Sequence, residues 1–319
     1  MILTFLKKGF PFYYFGRLIY RKNSGNVKDY FSTREYYRVI NSKKLNNEVF
    51  NSIMRNKLIF SMFCEKNNLP ISKIWSYNFN NTFYFQGKSF YINNKDRLFE
   101  YFHEVFENSG KNHLFLKPFS NKGGRGIFLL DIDNLEVQLD ENGDKILNSY
   151  YIHEEVIQQH SEINKIYSKS LNTLRITTYL DENGTLHFLD TFMRIGSGGS
   201  VLDNISSGGF YVPIHSDRGT LTGTGYQALQ FGAAIINNRH PDTQYPFNDF
   251  KIPFFKEAHD LCLQLTKLLP NRLSGWDIAI TPNGPYIVEG NDNPYILGGE
   301  TEYKGFLKHP IYKKIISES

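Results

Sequence analysis

Two turn signals constrain this chain more than any other feature. Asp181-Glu-Asn-Gly184 lies between the apolar, β-rich runs Leu174–Leu180 and Thr185–Ile195, and Pro282-Asn-Gly284 lies between Trp276–Thr281 and Tyr286–Glu289. Asn and Gly tolerate the positive φ that a tight hairpin demands, so each pair of runs should fold back on itself as antiparallel strands. Such pairing leaves no room for the βαβ alternation of a Rossmann sheet, and Gly-x-Gly-x-x-Gly is absent from the chain. The expected fold class is α+β.

Other segments fit that class. Ile71–Tyr77, Phe83–Ile92, His113–Pro118, Ile127–Leu130 and Tyr150–Ile157 read as strands. Ile53, Met54, Leu58, Ser61 and Met62 recur at helical spacing and predict one helix over Ser52–Asn67, ended by Leu69-Pro70. Asn94 can cap a second helix with the stripe Leu98, Phe99, Phe102, Val105, Phe106, and Pro253–Leu269 reads as a third. Gly196–Gly209 is a long loop, and residues 1–50, broken by Pro11 and Asn23–Asn26, read as short helices.

Composition narrows the function classes. With 319 residues, 40% of them apolar and 21% charged, the chain can bury a sizeable core, and extensive disorder is excluded. No apolar run reaches the roughly 18 residues of a membrane span, and no signal-peptide cleavage pattern follows the N-terminus. Cys64 and Cys262 have no CxxC partner and read as reduced core thiols of a cytoplasmic protein. Residues 1–60 carry twelve Lys/Arg against three Asp/Glu, or +9; the whole chain is +4, so the remainder is 4 − 9 = −5. The basic N-terminal end should meet something anionic, while the rest has no nucleic-acid footprint. Residues 1–22 interleave apolar and aromatic residues with Lys7, Lys8, Arg17, Arg21 and Lys22. Two fates remain open for that segment: an aromatic cluster packed on the protein, or peripheral contact with an anionic membrane at its inner face.

Three constellations carry chemistry. If Pro282-Asn283-Gly284 is a three-residue loop, paired positions sum to 566, which sets Asp277 opposite Glu289 with Asn291 on the same face. Facing carboxylates repel unless a cation sits between them, and an all-oxygen set suits Mg²⁺; a solvated acidic hairpin is the alternative. Lys117-Pro-Phe-Ser-Asn-Lys-Gly-Gly-Arg-Gly126 could curl its backbone N–H groups around an anion, or be a mere glycine-rich turn; it lacks the GK[ST] of a Walker loop. If Asn183-Gly184 is a two-residue turn, pairs sum to 367, so Arg175 faces Phe192 and Arg194 lies diagonally adjacent. Two guanidinium groups about 7 Å apart on one sheet face form a phosphate clamp, unless that face is merely solvated. Lys57 reads locally as a helix-surface lysine. His153, His160, His187, His215, His240 and His259 lack metal-ligand spacing, and no Gly-x-Ser-x-Gly elbow is present.

Taken in order, these segments resemble the ATP-grasp superfamily, in particular its sugar-transfer-associated members. The resemblance covers roughly residues 50–300 and rests on an ordered set. That set is Asn56-Lys57 opening a helix before Leu69-Pro70, Phe115-Leu-Lys117-Pro with its glycine loop, Glu154-Glu155-Val156-Ile157, Glu162, Asn172-Thr-Leu-Arg175, Arg194, Asp203-Asn204, Ser207-Gly208-Gly209, Gly275-Trp-Asp277 and Glu289-Gly-Asn291. It implies an ATP-grasp fold, two α+β lobes clamping MgATP (51–160 with the glycine loop, 161–319 with the Mg and acceptor sites), behind an N-terminal helical extension over 1–50. Lys57 and Lys117 would contact the α- and β-phosphates, and Asn121, Lys122, Gly123, Gly124, Arg125 and Gly126 would fold over the triphosphate. Glu154 would meet the adenine amino group beside Glu155, Val156 and Ile157, and Glu162 the ribose. Asp277, Glu289 and Asn291 would hold Mg²⁺, and Asp203, Asn204, Ser207, Gly208 and Gly209 would line the substrate. Many amide-forming relatives carry an arginine two residues before the metal aspartate. Here that position is Gly275, which leaves Arg175 and Arg194, with Lys117, to stabilise the transferring group. The activity implied is an ADP-forming carboxylate–amine ligase acting through an acyl phosphate, joining an amine or amino acid to a sugar carboxylate in surface-polysaccharide assembly. The alternatives are a kinase of a small hydroxyl substrate on the same fold, and a non-catalytic nucleotide-binding partner of a glycan assembly complex.

Overall fold

The computed structural model describes residues 14–15, 19–119, 126–227 and 235–319. The chain divides into two compact units, one running through Arg55 and resuming as Gln158–Ser319, the other Asn56–Ile157.

The Asn56–Ile157 unit is a six-stranded antiparallel sheet. Its strands are β1 (Ile74–Phe79), β2 (Thr82–Phe85), β3 (Lys88–Tyr91), β4 (His113–Pro118), β5 (Phe128–Asp131) and β6 (Tyr150–Glu155), in the order β3-β2-β1-β6-β4-β5. Alternation sends Phe83, Phe85, Leu114, Leu116, Leu130 and Tyr151 to one face. There they pack against the helices Lys95–Ser109 and Leu135–Leu147. Asn94 caps the first of these helices, accepting a bond from Arg97 N at 2.9 Å.

Two expectations change along these segments, and one helix had none. The helix predicted over Ser52–Asn67 is two, Glu48–Arg55 and Lys57–Lys66. Asn56 is extended (φ −97°, ψ 105°), and its side chain accepts from Leu58 N and Ile59 N, so it starts a new helix instead of continuing the old one. The strand predicted over Phe83–Ile92 is a hairpin, because Gln86 (φ 48°) and Gly87 (φ 75°) turn the chain between β2 and β3. The helix Leu135–Leu147 had no clear sequence signal, since Asn142-Gly143 reads as a turn. Gly143 is there for packing: a Cβ would lie 3.3 Å from Lys95 Cγ and 3.4 Å from Leu98 Cδ2.

The other unit is built on an eight-stranded antiparallel sheet. Its strands are β7 (Thr173–Leu180), β8 (Leu186–Ile195), β9 (Phe210–His215), β10 (Thr220–Leu221), β11 (Thr224–Gln227), β12 (Ile235–Asn237), β13 (Leu273–Thr281) and β14 (Gly284–Asn291). The order is β12-β11-β9-β8-β7-β13-β14, with β10 on β9. The helix Phe255–Leu268 packs on β7, β13 and β14. The described residues of the N-terminal region belong to this unit. Phe31, Tyr36, Val39, Ile40 and Leu45 share one core with Tyr179, Leu273, Ile296, Tyr312 and Ile315. Burial of those side chains, at about 1.5–3 kcal/mol each, outweighs the polar character of the flanking residues.

Of residues 1–22, numbers 1–13 and 16–18 lie outside the described residues. Ile19 is buried, while Phe15 and Tyr20 are about half exposed, at 49% and 51%. Among the described residues no helix is long and apolar enough to cross a membrane.

Candidate functional site

Both informative hairpins reach the expected register by a route the sequence did not predict. In β13–β14 the pairs nearest the turn, such as Thr281↔Gly284 and Ile278↔Ile287, sum to 565, so the loop is only Pro282-Asn283. An extra residue, Val288, then bulges from β14 and returns the sum to 566 at Asp277↔Glu289 and Gly275↔Asn291. In β7–β8 the loop is Glu182-Asn183-Gly184, closed by a bond from Asp181 N to Thr185 O, with Asp181 Oδ1 accepting from Asn183 N and Thr185 N. Pairs sum to 366 up to Thr178↔Phe188. Leu189 and Asp190 then oppose Thr177 alone, and the sum becomes 367 at Arg175↔Phe192. One-residue turn errors are cancelled by one-residue bulges.

Because β13 also pairs with β7, one rung across the sheet reads Phe192, Arg175, Asp277, Glu289. The Asp277 carboxylate is fully buried and held by two guanidinium groups. Arg175 binds it with both Nε and Nη2, the latter at 3.0 Å, and Arg194 Nη2 lies 2.9 Å from Oδ2. Asn291 Nδ2 approaches the same oxygen at 3.4 Å. Arg194 is held in turn by Thr173 Oγ1, which accepts from Nε and Nη2 at 3.0 and 2.7 Å, and by Asp203 Oδ2 at 3.3 Å. Thr173 donates from N (3.1 Å) and Oγ1 (2.6 Å) to Asp203. Burial opposes the Arg194 charge, but Asp203, Asp277 and Glu289 outweigh it and raise the guanidinium above its ordinary pKa. Burial likewise raises the Asp203 carboxyl, with Arg194 and the Thr173 bonds holding it back.

The glycine at 275 also has a packing cause. A Cβ there would lie 2.7 Å from Pro294 Cβ, so a side chain at this position would force Pro294 aside, and at 3.4 Å it would rest against Arg175 Cδ. Among the described residues no group of three His, Cys, Asp or Glu is arranged around a common metal position. The oxygen donors of Asp277, Glu289 and Asn291 nevertheless fit a hard divalent cation in kind and in register. In this structure the two arginines supply the positive charge that a buried carboxylate requires.

In the Asn56–Ile157 unit, Lys117 on β4 and Glu154 on β6 are diagonal neighbours on one sheet face, since Lys117 pairs with Ile152 and Glu154 with Phe115. Both are buried, and Nζ lies 2.7 Å from Glu154 Oε2. Lys57 opens its helix beside them; its N–H donates to Phe119 O at 3.0 Å, and its charge acts on Glu154. Burial raises the Glu154 carboxyl, and Lys117 and Lys57 counter that. Leu58, Ile152 and Phe119 form an apolar floor next to this charged trio. No local sequence signal set Lys57 apart; only the capping geometry at Asn56 brings it here.

The remaining candidates disperse. Glu155 points away from Glu154 and pairs with Lys111, Val156 is exposed, and Ile157 is half-buried. Glu162 sits on the helix Ser161–Ile166 of the other unit, where Lys165 Nζ meets both its oxygens at 2.7 Å. Asn121, Lys122, Gly123, Gly124 and Arg125 lie outside the described residues; Gly126 O accepts from Tyr151 Oη at 3.0 Å. In the loop after β8, Asn204 O accepts from Ser207 N (2.9 Å) and Gly209 N (3.1 Å), and Gly208 O from Ser197 Oγ and Gln227 Nε2. A Cβ on Gly209 would meet Asp203 O at 2.5 Å, so the glycine lets the chain pack against the Asp203 backbone whose side chain meets Arg194. Thr173 was missed: a threonine before an arginine carries no signal until the fold places it under Arg194. The buried His153, bonded to Ser76 Oγ (2.7 Å) and Asn78 Oδ1 (3.1 Å), is pushed down by burial to about 3 and stays neutral.

Residues 33–310 match a family described as sugar-transfer associated ATP-grasp. Solved structures similar to the chain include an ADP complex of the N5-carboxyaminoimidazole ribonucleotide synthetase purK (15% identity, TM-score 0.45, covering 79% of this chain and 48% of that one). Others are the ATP-grasp ligase PsnB with a minimal precursor, Mg and ADP (13%, 0.46, 86% and 61%) and the D-alanine-D-alanine ligase of Coxiella burnetii (9%, 0.45, 85% and 60%). The chain thus spans about half to three-fifths of the length of these structures. No curated protein matches the sequence.

Proposed function

Because the chain belongs to the sugar-transfer-associated ATP-grasp family, we propose that it is an ADP-forming ligase that activates a sugar carboxylate with ATP and joins it to an amine or amino acid. The observation that supports this reading is the rung Arg175–Asp277–Glu289 with Arg194 beside it: two facing carboxylates, one of them held by two guanidinium groups, on one sheet face.

Asp277, Glu289 and Asn291 would hold Mg²⁺, which when bound offsets the charge of the nucleotide phosphates. Lys57 and Lys117 are assigned to the α- and β-phosphates, and residues 121–126 to the triphosphate. Glu154, beside Glu155, Val156 and Ile157, takes the adenine amino group, and Glu162 takes the ribose. A substrate carboxylate oxygen attacks the γ-phosphorus, the bond to the β,γ-bridging oxygen breaks, and ADP leaves. Arg175 and Arg194 orient the transferring group and neutralise the charge that builds on it. The amine nitrogen then attacks the acyl carbon, the carbon–oxygen bond to phosphate breaks, and the amine loses a proton to solvent. Asp203 and Thr173 keep Arg194 extended along the face, while Asn204, Ser207, Gly208 and Gly209 form the loop assigned to the acceptor.

Incubation with ATP, Mg²⁺, a panel of uronic acids and hydroxylamine tests the reading. ADP together with a hydroxamate is expected. A stable phosphoryl ester without hydroxamate would make the protein a kinase, and nucleotide binding without any turnover would make it a non-catalytic partner.

A further inference from the structure

The sheet face that carries Lys117 and Glu154 continues into a row of aromatic rings used by none of the chemistry above. Cross-strand pairing sets Tyr91, Thr82, Phe79, Tyr150 and Phe119 side by side on one rung. The next rung on the same face reads Ser89, Tyr84, Tyr77, Ile152, Lys117. At about 4.8 Å per strand, the first rung is roughly 19 Å long. Its rings touch: Phe79 lies 5.1 Å from Phe119 and 5.5 Å from Tyr150 between centroids, and Tyr77 stacks on Tyr84 at 5.0 Å and 14°. Yet much of the row is open to solvent, with Tyr91 67%, Tyr150 50% and Phe79 40% exposed. The opposite face of the same strands is buried under two helices, so exposure here is not a general property of this small sheet. Contiguous exposed rings of this kind mark a binding surface.

We propose that this row is a carbohydrate platform, on which an oligosaccharide lays the C–H faces of successive rings against Phe79, Tyr150 and the flanking tyrosines. Charge selects the occupant. Across both rungs the only ionisable cation is Lys117, and Glu154 neutralises it. A nucleic acid strand needs a basic track beside its stacking rings, and an anionic membrane needs lysines or arginines around them. Among the described residues, Lys57 lies at the Lys117 end and also acts on Glu154, and the strand residues of the two rungs add no further cation. Apolar ring faces interspersed with the hydroxyls of Tyr77, Tyr84, Tyr91, Tyr150, Thr82 and Ser89 match a ligand that alternates apolar C–H patches with hydroxyl rims. The length of the row suits several sugar rings better than one. Phe119 closes the row immediately before the glycine-rich segment, so a chain lying on it would run toward the strand that bears Lys117. The proposal deepens the ligase reading, resting on it for the sugar being substrate, and assigns the polymer rather than the reacting carboxylate to these residues.

Saturation-transfer NMR with tetragalacturonate and maltotetraose on the full chain, without nucleotide, tests it. Transfer to ring C–H protons is expected for at least one of them at millimolar concentration. Phe79→Leu and Tyr150→Leu should each weaken it roughly tenfold, the scale of one lost ring contact. Tyr150→Phe, which keeps the ring, should bind like the parent, as should Val137→Ala on a distant exposed site. Unchanged circular dichroism and nucleotide affinity in the leucine variants would exclude misfolding. No transfer from either sugar, transfer that survives both leucine variants, or transfer seen only with oligothymidylate overturns the platform. ADP formation in the uronic-acid assay without saccharide binding would sink the platform and leave the ligase; saccharide binding without ATP turnover would do the reverse.

Discussion

Replacing Lys117 by methionine isolates what the buried pair with Glu154 contributes. Methionine keeps the length of the side chain and removes its charge, leaving Glu154 among Ile152, Leu58 and Phe119 with only the nearby Lys57 to oppose burial. Glu154 already titrates above its ordinary value of 4.5 because of burial. Without Lys117 it should rise further until it is cheaper to protonate the carboxyl than to bury the anion. That alternative sets a ceiling: keeping a carboxyl of ordinary value 4.5 protonated at pH 7 costs about 3.4 kcal/mol, at about 1.36 kcal/mol per pH unit. The ceiling agrees with the roughly 3–5 kcal/mol typical of breaking a buried ion pair. At pH 5 the same ceiling is only about 0.7 kcal/mol. The sign follows from linkage: a carboxyl whose folded pKa is raised destabilises the fold as pH rises above its unfolded pKa, and costs nothing below it. Urea unfolding of Lys117→Met against the parent should show a loss of at most about 3.4 kcal/mol at pH 7 that shrinks to at most about 0.7 kcal/mol at pH 5. The double variant Lys117→Met/Glu154→Gln should recover most of the pH 7 loss. An equal loss at both pH values, or one that persists in the double variant, would falsify the ion-pair account and leave only packing.

Other consequences are as specific. Glu289→Gln should abolish ADP formation and cost less in urea unfolding than Asp277→Asn, since Asp277 and not Glu289 is the carboxylate both arginines bind. Asp277→Asn should abolish it and also cost about 3 kcal/mol in urea unfolding, because two buried arginines lose their shared anion. Equal stability of the two variants would contradict the clamp geometry. Asp203→Asn keeps an acceptor for Thr173 but removes a counter-charge from Arg194, so kcat should fall by roughly tenfold or more with nucleotide affinity unchanged; a change confined to KM would assign Asp203 to substrate instead. For residues 1–22, co-sedimentation with anionic liposomes at low salt, lost on deletion of the segment and at high salt, is the expected outcome of membrane contact through Phe15, Tyr20, Arg21 and Lys22. Equal pelleting of the deletion variant would assign the aromatics to packing.

The site was legible in the sequence where side-chain alternation carries the information. A sheet face is set by parity, and Asp277 opposite Glu289 and Arg175 opposite Phe192 came out of the assumed turns only because each one-residue error in loop length is restored by a one-residue bulge. The turn sizes themselves were not legible, because Val288 and the Leu189–Asp190 bulge depend on long-range packing that local sequence does not encode. Periodicity alone places Asn56 inside a helix, whereas the resemblance has Asn56-Lys57 opening one, and the Asn56 side chain does take the two free N–H groups that start Lys57–Lys66. That one residue converts Lys57 from a surface lysine into a neighbour of Glu154. Thr173 and the aromatic row had no local signature at all, and Asp203, read as a substrate residue, gave no sign of its contacts to Arg194 and Thr173. Their meaning comes from which strand lies beside which, and that order is a property of the whole sheet.

The central claim, that a carboxylate is phosphorylated on its way to an amide, is tested most directly by following an oxygen atom. The substrate carboxylate carries heavy-oxygen label, turnover is run with unlabelled ATP, Mg²⁺ and the accepting amine, and the released inorganic phosphate is weighed by mass spectrometry. The account predicts one labelled oxygen in each phosphate released, and no labelled phosphate from Glu289→Gln. Unlabelled phosphate accompanying amide formation, or label retained in full by the sugar while ADP accumulates, would contradict it.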